Sequence, residues 1–135
     1  MNNDDGSAAI EASLAVTALM LVMFFLIGAI RIVGAGSDVH SAAWAAARAA
    51  STAYNPDQAA AHARDVAAST LKDRGVSCRN LTVKVGGDLT PGGVITVDVR
   101  CTVALADIGL VGFPGSRTAT GRGVEQIDLL RGGTP

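Results

Sequence analysis

Between Glu11 and Arg31 the chain carries nineteen consecutive residues without a charge. Large apolar side chains fill residues 19 to 27 without interruption. As a helix the run from Ala12 to Ile30 is about 28 Å long at 1.5 Å per residue, close to one bilayer hydrocarbon core. Its only polar residues are Ser13 and Thr17. In a helix their hydroxyls bond back to the preceding turn. The competing use of such a run is the buried helix of a soluble domain. A chain of 135 residues has too little else to surround it. The run therefore predicts a single membrane-inserted helix, with the remainder of the chain on one side.

Helical composition continues past the membrane run. Ser37 to Ala53 has no proline and no interior glycine, and includes the alanine-rich stretch Ser41 to Ser51. The first helix is expected from about Ser7 to about Ala53, roughly 70 Å, with half of it beyond the bilayer. Gly34 and Gly36 are the places where it would bend. Asn55-Pro56 ends it, because the residue before proline avoids helical backbone while proline suits a first turn. A second helix is predicted from Asp57 to about Arg74. Its apolar stripe is Ala59, Ala63, Val66, Ala67 and Leu71, and Gly75 stops it.

From there the period changes to two. Leu81, Val83 and Val85 alternate with Thr82 and Lys84. Ile95, Val97, Val99, Cys101 and Val103 alternate with polar residues in the same way. The turn-rich residues 86 to 93 join the two into an antiparallel hairpin. Facing Leu81 with Val99, Val83 with Val97 and Val85 with Ile95 gives a consistent apolar face. A third strand is expected from Arg117 to about Leu130. Ile108, Leu110, Val111 and Phe113 would fill the core edge in the connection before it. The fold class is thus α+β: a long N-terminal transmembrane helix, a second amphipathic helix, and a small antiparallel three-stranded sheet. The second helix would lay its stripe on the sheet. In units, residues 1–6 form a polar leader, 7–54 the N-terminal helix, and 55–135 a small head.

Chemistry-bearing residues are few. Cys78 and Cys101 both fall in the hairpin. A disulfide between them would close a loop of about two dozen residues, contribute roughly 3 kcal/mol, and imply an oxidising compartment. The other reading is two buried thiols. In the expected register Cys78 faces Thr102, so a bulge near Arg79 or Asn80 would be needed to bring it to Cys101. Two cysteines without a CxxC make no metal site. His40 and His62 read as solvated helix residues. No nucleophile, base and orienting group can be named together, so no catalytic residue and no cofactor is expected. Net charge is −1, and the eleven Lys and Arg residues are scattered, which excludes a nucleic-acid surface. Nor does any phosphate loop or dinucleotide fingerprint suggest a small-molecule substrate.

Glu11 is the charge at the N-terminal edge of the apolar run, and it is the fifth residue after Gly6. Gly6-Ser7-Ala8-Ala9-Ile10-Glu11 followed by the long apolar helix resembles the processing site of type IV prepilins. The alanine-rich segment Ser41 to Ser51, the strand-rich tail with two cysteines, and residues 112 to 131 look like the TadE-like pseudopilins of tight-adherence (Flp) pilus systems. The resemblance implies cleavage by a prepilin peptidase after Gly6, a mature N-terminus at Ser7, and an assembly carboxylate at Glu11. It implies as partners the membrane, other pilins and the pilus secretion platform. It also implies a single-pass cytoplasmic-membrane protein whose C-terminal domain is extracytoplasmic. The chain is larger than a major Flp pilin, which points to a minor pseudopilin. Its leader lacks the Lys and Arg usual in that family, and Arg31 and Arg48 favour the reverse orientation by the positive-inside tendency. The alternative is an anchored or secreted binding module, with Val33-Gly34-Ala35-Gly36 read as a signal peptidase site.

Overall fold

The computed structural model describes residues 4–108 and 114–130. It contains two α-helices, three strands and one short 3-10 turn: α1 (Asp4–Ser51), α2 (Pro56–Asp73), β1 (Asn80–Gly87), β2 (Val94–Ala104), the turn Leu105–Ile108, and β3 (Ser116–Gln126). The α+β class with one long apolar N-terminal helix, a second helix and a three-stranded antiparallel sheet is the class read from the sequence. The strands lie in the order β1-β2-β3.

α1 is a single helix of 48 residues that passes through Gly34 and Gly36 without interruption. A Cβ at either glycine would meet nothing within 4 Å. Its two halves have opposite surroundings. Apolar side chains from Ile10 to Ile30 are exposed, whereas Val39, Ala42, Ala43, Ala46, Ala47 and Ala50 are fully buried. Their three- and four-residue spacing puts these six on one face. The globular unit therefore begins inside α1, near Val39, and not at residue 55.

α2 is capped as its sequence directs. The Asn55 side chain accepts from the Gln58 amide at 2.8 Å, Pro56 takes the first helical position, and Gln58 returns a bond from the Tyr54 amide at 3.1 Å. At the other end Gly75 adopts a positive φ of 72°, and Val76 N–H reaches Leu71 C=O. Arg74 binds Asp38 of α1 at 3.0 Å, tying the end of α2 to the start of the buried half of α1. The two helices are thus antiparallel. Ala59, Ala63, Ala67 and Leu71 are buried, while Val66 is only half-buried.

The stripe of α2 was expected to lie on the sheet, and α2 does pack over β1; the larger share of the sheet, β3 and β2, is covered by α1. Glycine explains the share taken by α1. A Cβ on Gly121 would lie 2.6 Å from Val39 O and 2.7 Å from His40 Cα, and one on Gly123 would strike Ala43 O. With hydrogen at both positions, the α1 backbone rests directly on β3. Alternate residues of a strand share a face, so the pair forms one groove for the helix.

The β1–β2 register also differs from expectation. Leu81 faces Cys101, Val83 faces Val99 and Val85 faces Val97. This is a slip of two residues along β2. A slip of two leaves every side chain on its own face, so apolar alternation cannot distinguish the registers. The loop decides it: Asp88 N–H bonds Val94 O at 3.1 Å, Gly93 N–H bonds Thr90 O at 2.8 Å, and the Asp88 carboxylate accepts from the Thr90 amide at 2.9 Å. β3 ends at Gln126, earlier than Leu130, because Ile127 leaves the ladder to dock under that loop. Its amide bonds Gly93 O, its carbonyl accepts from Gly92, and its side chain is buried. The core-edge assignment of Ile108, Leu110, Val111 and Phe113 falls on side chains outside the described residues.

Gly123→Ala is expected to destabilise the head by about 1–3 kcal/mol through overpacking against backbone that cannot yield. Gly86→Ala, whose Cβ would meet only the Thr96 hydroxyl at 3.5 Å, should change stability far less. Denaturant titration of both variants checks the contrast.

Candidate functional site

The exposed half of α1 is the largest feature without an internal role. Its large apolar residues from Ile10 to Ile30 keep between 47% and 76% of their surface. They surround the helix on every side instead of forming one stripe. A helix apolar all round needs an apolar medium or other helices around it. This helix is long and apolar enough to cross a membrane. Its two polar residues are internally satisfied: Ser13 Oγ donates to Ile10 O and Thr17 Oγ1 to Ser13 O, both at 2.8 Å. No backbone or hydroxyl proton in that stretch needs water.

Glu11 is exposed at the leading edge of this surface. It lies four residues after Ser7, so the two positions share one helix face about 6 Å apart along the axis. Gly6 and Ser7 fall in the first turn of α1, which begins at Asp4. Amides in a first turn have no intrahelical acceptor. Unwinding the helix as far as the Gly6–Ser7 bond therefore breaks few hydrogen bonds. From position 11 to position 31 is about 30 Å of helix, close to one hydrocarbon core.

Cys78 and Cys101 form a disulfide with their Cα atoms 5.3 Å apart. The thiol alternative is thereby set aside, and the expected bulge is not how the pair is made. The ladder from Asn80 to Gly87 is unbroken, and Cys101 faces Leu81 across it. Cys78 reaches Cys101 from the segment before β1, where Arg79 N–H still donates to Thr102 O at 2.8 Å. The bridge spans 23 residues. It ties the α2–β1 segment to the central strand, beside Leu71 and Leu81.

The histidines stand apart. His40 is exposed on α1, and its Nε2 accepts from Trp44 Nε1 at 3.0 Å. His62 is half-buried on α2. Among the described residues no group of three or more His, Cys, Asp and Glu is gathered that could hold a metal ion. The outer sheet face carries one well-formed ion pair. Asp98 and Arg122 are direct cross-strand neighbours joined by bonds of 2.7 and 3.2 Å. The Arg122 guanidinium holds the Asp98 carboxyl below the ordinary carboxylate range. Asp88 is also lowered, by the Thr90 amide and hydroxyl.

Sequence reasoning named Gly6, Ser7, Glu11 and the cysteine pair. The structure puts the first three on one helix end and the disulfide within the globular unit, joined by the unbroken α1. It missed Gly121 and Gly123, whose i, i+2 spacing inside a strand was the available sign of close backbone approach. Searches against protein-family models, curated proteins and solved structures gave no match.

Removing the bridge by Cys78→Ser with Cys101→Ser should cost the head about 3 kcal/mol in the chain-entropy model, read as a lowered melting temperature that matches the reduced parent. Acid should act through Asp98. Its folded-state carboxyl is depressed, so its contribution is complete above the unfolded value of about 3.9 and is lost as pH falls below it. Asp98→Asn should flatten the acid limb of a melting-temperature profile recorded from neutral pH to about pH 3.

Proposed function

We propose that this chain is a TadE-like minor pseudopilin that takes part in assembling a tight-adherence pilus. The observation that carries the proposal is the arrangement of α1. One helix joins a scissile-type Gly6–Ser7 bond, a carboxylate one turn further on, a bare apolar span, and a small disulfide-bonded head. Prepilin peptidase adds water across the Gly6–Ser7 amide, leaving a carboxylate on Gly6 and an ammonium on Ser7. An ammonium at the edge of lipid is costly unless it is paired. Glu11 of a neighbouring subunit supplies the counter-charge. Such a pair fixes the axial offset between two otherwise featureless apolar helices. The apolar surface then serves twice, first against lipid and then against neighbouring pilin helices.

The disulfide supports an extracytoplasmic head, since such bonds persist in oxidising compartments. The chain is thus read as a single-pass protein of the cytoplasmic membrane. Its partners are prepilin peptidase, other pilins and the secretion platform. No catalytic role is assigned.

Mass spectrometry of the native protein extracted from membranes is expected to give a chain beginning at Ser7, and a chain retaining Met1 when the peptidase is inactivated. A mature chain starting near Ser37 would replace this reading with a secreted binding module. Glu11→Ala should leave the protein in the membrane fraction while reducing its recovery with assembled pili by at least about tenfold, the scale of one uncompensated charge in lipid.

A further inference from the structure

The head is electrically polarised along α1. β3 runs in the same direction as α1, since Gly121 lies on Val39, Gly123 on Ala43, and Glu125 pairs with Arg48 at 3.9 Å. Arg117 and Val103 accordingly line a cleft with Val33, Ala35 and Gly36, at the end of the head nearest the apolar span. α2 ends at the same level, because Arg74 binds Asp38 there, and Arg79 follows across from Thr102. The span-proximal end thus exposes Lys72, Arg74, Arg79 and Arg117, with Asp38 and Asp73 the carboxylates described beside them. The far end is the reverse. Asp57, Asp88, Glu125 and Asp128 gather there, with Arg48 the only described cation among them.

We infer that the span-proximal end of the head rests on anionic lipid headgroups, and that this contact holds the head upright on the bilayer. The inference rests on reading α1 as a membrane anchor. The distances require the encounter. The apolar run ends at Ile30 and the buried packing of α1 begins at Val39, nine residues or about 14 Å further along the helix. The headgroup layer occupies roughly 5–7 Å of that on each side of the core. The remainder is shorter than a Debye length at physiological salt, so the cations sense the charge of the leaflet. The acidic end points away from the same surface and is repelled by it. Charge at both ends therefore favours one orientation. Each cation near an anionic leaflet is worth about fivefold in local partition. Two cations remain after Asp38 and Asp73 are set against the four.

The test uses the full chain in lipid nanodiscs carrying a trace of headgroup-chelated gadolinium, with amide relaxation read by NMR. Discs of neutral phosphatidylcholine are compared with discs containing about a third phosphatidylglycerol. Relaxation enhancement at residues 72–79 and 114–118 should rise at least about fivefold in the anionic discs. It should fall again at high salt, and residues 88–93 and 128–130 should not share in the rise. Arg79→Glu with Arg117→Glu should abolish the rise without moving the melting temperature of the detergent-solubilised protein. Enhancement indifferent to lipid charge, or retained in the double variant, would overturn the inference. An equal rise at both ends would overturn it in favour of a head lying flat. Concentration-dependent shifts at both ends, independent of lipid, would overturn it in favour of head-to-tail pairing of two copies. Elution of the chain apart from the discs would remove the anchor reading itself, and the inference with it.

Discussion

The contact between the α1 backbone and β3 governs this molecule. Helices on sheets ordinarily stand off by the length of the side chains between them. Here Gly121 and Gly123 remove the side chains on one partner, and alanines keep them short on the other. Close backbone approach brings many weak dispersion contacts into range and leaves no voids to fill. It also fixes the helix in one groove, because any rotation or slide would drive a carbonyl of α1 into a neighbouring residue that does carry a Cβ. The rest of the head is arranged around that seat. α2 takes the remaining place over β1, and its own alanines allow it to lie close against α1.

A core made this way is dense but small in area. Among the described residues its largest fully buried side chains are Leu71, Ile95, Ile127, Val39, Val97, Val99 and Cys101, and none of these is aromatic. Apolar burial stabilises in proportion to area, so alanine contributes little per residue. The disulfide offsets part of that deficit by restricting the unfolded chain. Its location follows from the same deficit. Cys78 lies in the segment between α2 and β1, where no regular hydrogen-bond ladder holds the chain, and Cys101 lies on the central strand.

The elements were legible in the sequence because each has a strong local cause. Nineteen uncharged residues, an Asn-Pro cap, a glycine stop and two-residue alternation fix helix, helix and strands one by one. What the sequence concealed was how these elements meet. Alternation assigns faces but is blind to a slip of two, so the β1–β2 register was set by the turn around Asp88 and Thr90 and could not be read from Val83 or Val97. The seating of α1 was hidden because alanine looks neutral in a pattern of apolar residues, and glycine looks like a break. Ile127 looked like one more strand residue, and its docking depends on a loop more than thirty residues earlier. At the N-terminal end the opposite holds: on the pseudopilin proposal Gly6, Ser7 and Glu11 act through their spacing along one helix, which sequence alone displays.

The continuity of α1 joins these two kinds of information. Glu11 and Val39 are 28 residues apart, about 42 Å along one uninterrupted helix. Bilayer-spanning segments usually meet their soluble domains through a linker, and a linker dissipates whatever the segment senses. Here the apolar helix enters the head as its central core element, and the glycine seat prevents the head from turning about it. On the pseudopilin proposal, pairing of Glu11 with a neighbour's ammonium sets the offset of two helices inside the membrane. That offset reaches the head with no slack except the elastic curvature of the helix itself. The stagger of neighbouring heads is then determined by a carboxylate 42 Å away, and the surfaces of the heads need only tolerate that stagger, not encode it. On that proposal the outer sheet face, which carries threonines beside the Asp98–Arg122 pair and the further cations Lys84 and Arg100, is not required to set the stagger: its charge bears on which neighbour it meets, and the helix bears on where.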